Sequence, residues 1–273
     1  MKKGELNLNM ISYSDLCLLN CDIEDNIQKL ISYGADSIEL MMDGQYWCDT
    51  ESTICNLSQI LNKYKVEFSI HPPTWNTNLT SENKLISETT FNEHKKAILF
   101  AKAINAKYIV IHPGFYYSSA FGKENTKKRA YELVSRLNKM AKQLGIKLAV
   151  ENVGCNGDSL FTQEEYIKFI ENVDDNIGYL IDTGHAHINK WNIPELIEKT
   201  EDRLIALHLH DNFGEADEHN PIGQGSIDWE SIFKVLKNTS LNFKLVFEYK
   251  TGTEGSIMRK HKDMLLDCLG RVK

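Results

Sequence analysis

The 273-residue sequence predicts a single (β/α)8 barrel, a TIM barrel, spanning residues 1–273. Three observations carry that expectation. Short strand-like runs alternate with amphipathic helical patterns from one end of the chain to the other. Eight such units fit within about the length typical of the class. No glycine-rich nucleotide fingerprint follows the first run, which removes the usual reason to choose an open doubly wound sheet, the other architecture that alternation allows. Low-complexity segments and linkers are absent, so one domain is expected.

In order, the strand-like runs are LNLNMIS, DSIEL, VEFSIH, KYIVIH, IKLAVEN, IGYLID, RLIALHLH and FKLVFEY. Helical patterns lie between them. After the first run, Asp22 is placed to cap a helix that sets Ile23, Ile27, Leu30 and Ile31 on one face and stops at Gly34. Between the fourth and fifth runs, Ala130, Leu133, Val134, Leu137, Ala141 and Leu144 form one stripe that ends at Gly145. A last helix, after Thr253, carries Met258, Leu265 and Leu269.

Composition narrows the function. Hydrophobic residues make up 42% and charged residues 25%, enough for a substantial core. The net charge of −7 gives no electrostatic reason to expect nucleic acid or an anionic membrane as a partner. No apolar stretch approaches the roughly 20 residues of a membrane span, and the opening MKKGELNLNMISYSD turns polar too early for a signal peptide. The six cysteines (17, 21, 48, 55, 155 and 268) form no CxxC pair and read as reduced, mostly buried thiols. A cytoplasmic enzyme is expected.

The metal-capable side chains collect at one end of the strand-like runs. His71 ends the third, His112 the fourth, Glu151 the fifth and Asp182 the sixth, with His185 three residues on. His208 ends the seventh, Asp217 and His219 follow in its loop, and Glu248 ends the eighth. In a closed barrel these C-terminal ends converge on one mouth, where barrel enzymes keep their chemistry. Taken singly, each has an ordinary explanation: a satisfied polar histidine, a helix cap, a solvated carboxylate. One metal centre explains all nine together, and mixed imidazole and carboxylate ligands suit zinc, manganese or a related divalent ion.

The motifs VIHPG, VENVG, IDTGH, LHLHD, DEHNPIGQGSIDW and FEY, in this order, resemble those of the xylose isomerase-like barrel superfamily over about residues 36 to 250. That superfamily contains sugar isomerases and epimerases, inosose-processing enzymes and endonuclease IV. Resemblance to the epimerases implies one ion held by Glu151, Asp182, His208 and Glu248. Resemblance to endonuclease IV implies three zinc ions that also use His71, His112, His185, Asp217 and His219. The surroundings lean away from the nuclease. This chain has DTGHAHINKWN where the nuclease continues from DTCH, and HLHD where the nuclease has Asn before Asp. Glu218 stands in place of an Arg, and MMDGQYWCD carries no DNA-contacting Arg. Several ketose epimerases place an Arg near the position of His219, so this histidine serves either a second ion or the sugar.

The resemblance implies an isomerase or epimerase that acts by proton transfer through a metal-stabilised enediolate, with a small sugar as partner. Glu151 and Glu248, across the mouth from each other, would be the acid–base pair, each also binding the ion through one oxygen. His185, His219 and Trp75 are the candidate substrate contacts. Asn152, His187, His210 and Asp211 are candidates to orient the ligands. Tyr46, Trp47 and the segment GFYYSSAF are aromatic features that line the pocket, form a lid, or make a contact between copies in a homo-oligomer. Lys123, Lys127, Lys128 and Arg129 meet either a phosphate or, more simply, solvent on the first turns of a helix. The competing function is an endonuclease IV-like phosphodiesterase acting on abasic DNA.

Overall fold

Parallel strands close into an eight-stranded barrel whose spatial order follows the sequence. They are β1 (Ile11–Ser14), β2 (Ser37–Met41), β3 (Glu67–His71), β4 (Tyr108–Ile111), β5 (Lys147–Glu151), β6 (Ile177–Asp182), β7 (Leu204–Leu209) and β8 (Lys244–Phe247). Closure is made by β1 on β8, where Ile11, Ser12 and Tyr13 stand beside Leu245, Val246 and Phe247. The computed structural model describes residues 10–270 except 20, 45, 46, 48, 49 and 156. Four of the seven residues of the first predicted run therefore lie outside the described residues, and β1 begins within its end.

The helices are α1 (Ile23–Ser32), α2 (Thr50–Leu61), α3 (Lys84–Ala103), α4 (Lys123–Leu144), α5 (Gln163–Glu171), α6 (Thr183–Ile188), α7 (Ile193–Thr200), α8 (Trp229–Leu236) and α9 (Gly255–Cys268). Their termini follow local chemistry. Asp22 caps α1 by accepting from the Glu24 and Asp25 backbone N–H groups. Thr162 and Glu165 form a reciprocal capping box on α5. Helix α4 starts a full turn and more before the predicted stripe and ends at Gly145, whose φ of 74° is the left-handed conformation that glycine adopts at low cost. Among the described residues no helix is long and apolar enough to cross a membrane.

Two apolar layers hold the barrel. The larger packs helices onto the outer strand faces through residues such as Ile27, Leu30, Ile98, Leu137, Ile170 and Leu265. The smaller fills the barrel interior with Tyr108, Val110, Ala149, Leu180, Ala206 and Val246. Because strand side chains alternate, residues two positions beyond these interior ones point to the same axis, nearer the mouth. Those residues are His112, Glu151, Asp182, His208 and Glu248. The fold thus stacks the candidate ligands directly above an apolar plug.

The cysteine expectation needs correcting. No disulfide joins the described cysteines, but only Cys17 among them is buried; Cys21, Cys155 and Cys268 are half-buried and Cys55 is exposed. Cys48 lies outside the described residues. Helix α2, which carries Cys55, lies on the barrel's outside, where a thiol meets solvent on one side.

Candidate metal centre

All nine predicted ligands converge at the C-terminal mouth, although the strand ends are offset from the predicted ones. His112 and Glu248 stand one residue past β4 and β8, and His208 one residue before the end of β7. His71 Nε2 lies 3.6 Å and His112 Nε2 3.0 Å from Glu151 Oε2, so two imidazoles share one carboxylate oxygen. The other oxygen of Glu151 lies 3.1 Å from His185 Nδ1, which is 3.4 Å from Asp182 Oδ1. His208 Nδ1 faces three carboxylates, Glu248 at 3.0 Å, Asp182 at 3.8 Å and Glu151 at 3.9 Å. Beyond them, Asp217 Oδ2 lies 3.2 Å from His185 Nε2 and 3.1 Å from His219 Nε2.

Backbone carbonyls fix which ring nitrogen faces inward. His71 donates from Nδ1 to the Pro72 carbonyl (2.9 Å), and His219 from Nδ1 to the Glu248 carbonyl (2.9 Å). Nε2 of each then faces the centre, the nitrogen left to meet a carboxylate or an ion. His112 Nδ1 meets the Thr74 hydroxyl at 3.3 Å.

The electrostatics demand positive charge. Burial alone would lower the His71 pKa, but the Glu151 carboxylate outweighs it and pushes it up to about 9. His219, half-buried beside Asp217, is likewise pushed up to about 9, the Asp217 carboxylate outweighing the loss of solvent. His185 and His208 are raised well above the ordinary imidazole value by Asp182 and by Glu248, again against burial. Conversely, burial would raise Glu151, yet His112, His185 and His71 hold it well below the usual carboxylate range. Asp182 and Asp217 are held down in the same way, by His210 and His185 respectively. Glu151, Asp182 and Asp217 are therefore anions that draw protons onto the imidazoles around them.

A divalent cation fits this donor set. His185 Nδ1, both His208 nitrogens, His210 Nδ1 and Asp217 Oδ1 are buried and make no well-aligned hydrogen bond. Four three-residue groups bring ligand atoms within 4.8 Å of one another: His71, His112 and Glu151; Glu151, Asp182 and His185; Glu39, His208 and Glu248; His210, His219 and Glu248. Ligands at about 2.0–2.2 Å from a tetrahedral ion stand about 3.3–3.6 Å apart. The spacings of 3.0 to 3.9 Å around His208 Nδ1 bracket that separation.

Of the proposed orienting residues, two touch a ligand side chain or its backbone. His210 Nε2 donates to both Asp182 oxygens, at 2.8 and 3.0 Å. Asn152 clamps the Asp182 backbone, donating to its carbonyl (3.0 Å) and accepting from its N–H (2.7 Å). Asp211 instead holds the loop, accepting from the Asn212, Gly223 and Ile227 N–H groups and the Trp229 indole. His187 bonds Ser226 away from the centre.

Gly184 explains how His210 reaches Asp182. A Cβ at residue 184 would fall 2.0 Å from His210 Cε1 and within 2.7 Å of both ring nitrogens. Gly184→Ala is expected to cost about 1–3 kcal/mol of unfolding free energy through this overpacking. Denaturant melts measure it, and an unchanged midpoint would mean that the His210 ring has room to retreat.

Sequence reading missed Glu39, which is fully buried in β2 with Oε1 2.8 Å from His208 Nε2. The signal was an acid between Ile38 and Leu40 in a strand, a position costly to bury without a partner.

The rim is aromatic. His112 meets Phe115 edge-on at 6.0 Å, and Phe115 stacks on Tyr117 at 5.5 Å, a file from the buried centre to a ring 65% exposed. Trp75 is 52% exposed on the loop after β3, beside Thr74. Trp47 does not line the mouth: it is buried edge-on against Phe100. Tyr46 lies outside the described residues. The basic cluster is spent elsewhere: Lys127 pairs with Glu124 and Glu165, Arg129 with Glu82, Lys123 sits over the Tyr116 ring, and Lys128 is exposed.

Comparison with known proteins agrees with this architecture. A family model described as xylose isomerase-like TIM barrel matches residues 27–268. Uncharacterized protein MJ1311 of Methanocaldococcus jannaschii is 27% identical, covering 91% of this chain and 87% of that one. D-psicose 3-epimerase of Enterocloster bolteae is 31% identical over 53% of this chain and 48% of its own length. A probable endonuclease 4 of Mesomycoplasma hyopneumoniae is 33% identical over 49% and 52%. The chain thus spans about half of each of these last two relatives. Among solved structures, a D-tagatose 3-epimerase-like protein superposes with a TM-score of 0.83 at 24% identity, covering 96% of this chain and 98% of that one. The IOLI protein with a binding zinc atom gives 0.78 at 20% identity over 96% and 98%. At these identities the structural likeness is one of fold.

Proposed function

We propose that this chain, which belongs to the xylose isomerase-like TIM-barrel family, is a divalent-metal-dependent isomerase or epimerase of a sugar, a sugar phosphate or a related polyol-derived ketone. The observation that carries the reading is the convergence of Glu151 and Glu248, from β5 and the end of β8, on the same His208 nitrogen, at 3.9 and 3.0 Å. Two carboxylates brought to one centre from well-separated strands suit removal of a proton from one face of a substrate carbon and its return to the other. Glu151 is ionised at neutral pH, the state a proton acceptor needs.

Asp182 and His208 are the fixed ligands of the ion, zinc or manganese, and Glu151 and Glu248 complete its shell. When bound, that ion supplies a Lewis acid beside the substrate carbonyl, stabilising the charge that develops as the neighbouring proton leaves. His185 and His219, whose side chains stay 12% and 20% exposed, reach the opening and can hold substrate hydroxyls. Trp75 and the Phe115–Tyr117 file offer aromatic faces to sugar C–H surfaces. The partner on this reading is a small sugar rather than nucleic acid or a membrane.

The second reading, an endonuclease 4-like phosphodiesterase, is favoured by one observation: His71, His112, His185, Asp217 and His219 join the other four ligands in one cluster. Incubation of a panel of ketoses with metal-loaded protein in deuterium oxide separates the two. Deuterium is expected on the carbon beside the carbonyl of the substrate, and duplex DNA with an abasic site is expected to stay intact. Rapid incision of that DNA, lost in Glu248→Gln, would replace the sugar reading with the nuclease one.

A further inference from the structure

Glu39 stands one layer below the ligands, beside Ser69 on β3, and none of its surface reaches solvent. Its Oε2 accepts from the Ser69 hydroxyl and from the Tyr108 phenol, each at 3.0 Å. The other oxygen, Oε1, lies 2.8 Å from His208 Nε2, a short contact that is not a well-aligned hydrogen bond. On the other edge of the same ring, Nδ1 faces Glu248, Asp182 and Glu151. His208 is therefore gripped between a buried carboxylate behind it and the ligand cluster in front.

A carboxylate removed from water is costly unless donors meet both of its oxygens. The Ser69 and Tyr108 hydroxyls serve one oxygen, so the proton needed at the other is that of His208 Nε2. A neutral imidazole has one N–H. Holding it at Nε2 leaves the lone pair at Nδ1, the nitrogen that faces the ligand cluster, and makes that lone pair a stronger donor.

We infer that Glu39 is a positioning residue that fixes the tautomer and orientation of His208, so that Nδ1 is presented to the ion, with Ser69 and Tyr108 holding Glu39 in turn. This rests on the reading of His208 as a ligand.

The test uses the intact protein, stripped with a chelator and then titrated with Co2+ against a competing chelator. The visible band of the bound Co2+ is recorded, and the imidazole tautomers are read by 15N NMR on protein loaded with diamagnetic Zn2+. The loaded parent is expected to show His208 protonated at Nε2 and not at Nδ1. Glu39→Gln is expected to bind Co2+ about 10- to 100-fold more weakly, with a shifted visible band and an unchanged far-ultraviolet spectrum. Tyr108→Phe keeps the contact to Oε1, so it should keep the tautomer and lose less affinity. If Glu39→Gln does not fold, the parental tautomer and Tyr108→Phe carry the test. Parental affinity and band in Glu39→Gln, or a proton on Nδ1 of His208 in the loaded parent, would overturn the positioning role while leaving the metal centre intact. A parent that takes up no Co2+ would overturn the functional reading and this inference together.

Discussion

Substitution of His208 or Asp182 by alanine is expected to empty the centre of divalent metal and reduce turnover to background. Elemental analysis of the parent should find at least one equivalent per chain. The expectation follows from burial and from shared contacts: neither side chain is exposed, and His208 Nδ1 stands within 3.9 Å of three carboxylates. Removing the imidazole leaves Glu39 and Glu248 without their closest ring partner, and an uncompensated buried charge costs about 3–5 kcal/mol. His208→Ala will therefore be less stable, and Asp182→Asn, which keeps the shape, is the control for folding. Chelation of the parent should reproduce the loss without mutation and reverse when metal is restored. It should also lower the melting temperature, since an ion at 100 times its dissociation constant stabilises by about 2.7 kcal/mol. Full metal content in both alanine variants would dismiss the centre.

How much of this was legible in the sequence depends on the period of a strand. The gathering of His112, Glu151, Asp182, His208 and Glu248 at the mouth was readable because each is a metal-capable side chain at the end of an apolar run, and strand ends in a barrel share one mouth. Their grouping was not readable. Nothing in the residue order says that His71 and His112 meet on one oxygen of Glu151, because that pairing depends on how the strands tilt and stagger around the barrel. Glu39 was passed over because it lies inside a run rather than at its end, although its burial between apolar neighbours is itself the anomaly. The role of Gly184 was equally hidden. A glycine after Asp-Thr reads as a turn residue, and only the ring of His210 lying against it shows that the space is required. Trp47 and Trp75 both follow predicted strands, and Trp75 is the one expected to contact substrate. One packs against α3 and the other stays open on the loop after β3, a difference of tertiary packing that composition does not encode.

Glu248→Gln is expected to keep the fold and most of the metal while lowering turnover by on the order of 10²-fold or more, the scale of a lost general acid or base. The amide retains an oxygen on the same atoms, so the substitution removes proton transfer with little change of shape. Metal content, measured beside activity, separates this from simple loss of the ion. The two-carboxylate arrangement makes a sharper claim than a rate. If Glu151 takes the proton from one epimer and Glu248 from the other, Glu248→Gln should still wash deuterium into the first epimer while failing to exchange the second. Glu151→Gln should show the opposite preference. The asymmetry arises because each carboxylate serves one face of the substrate carbon, and losing one leaves the other's half-reaction running without net conversion. Near-normal turnover in Glu248→Gln would remove Glu248 from the mechanism. Equal loss of exchange for both epimers, with metal retained, would mean that a single base serves both faces and that the second glutamate acts only as a ligand.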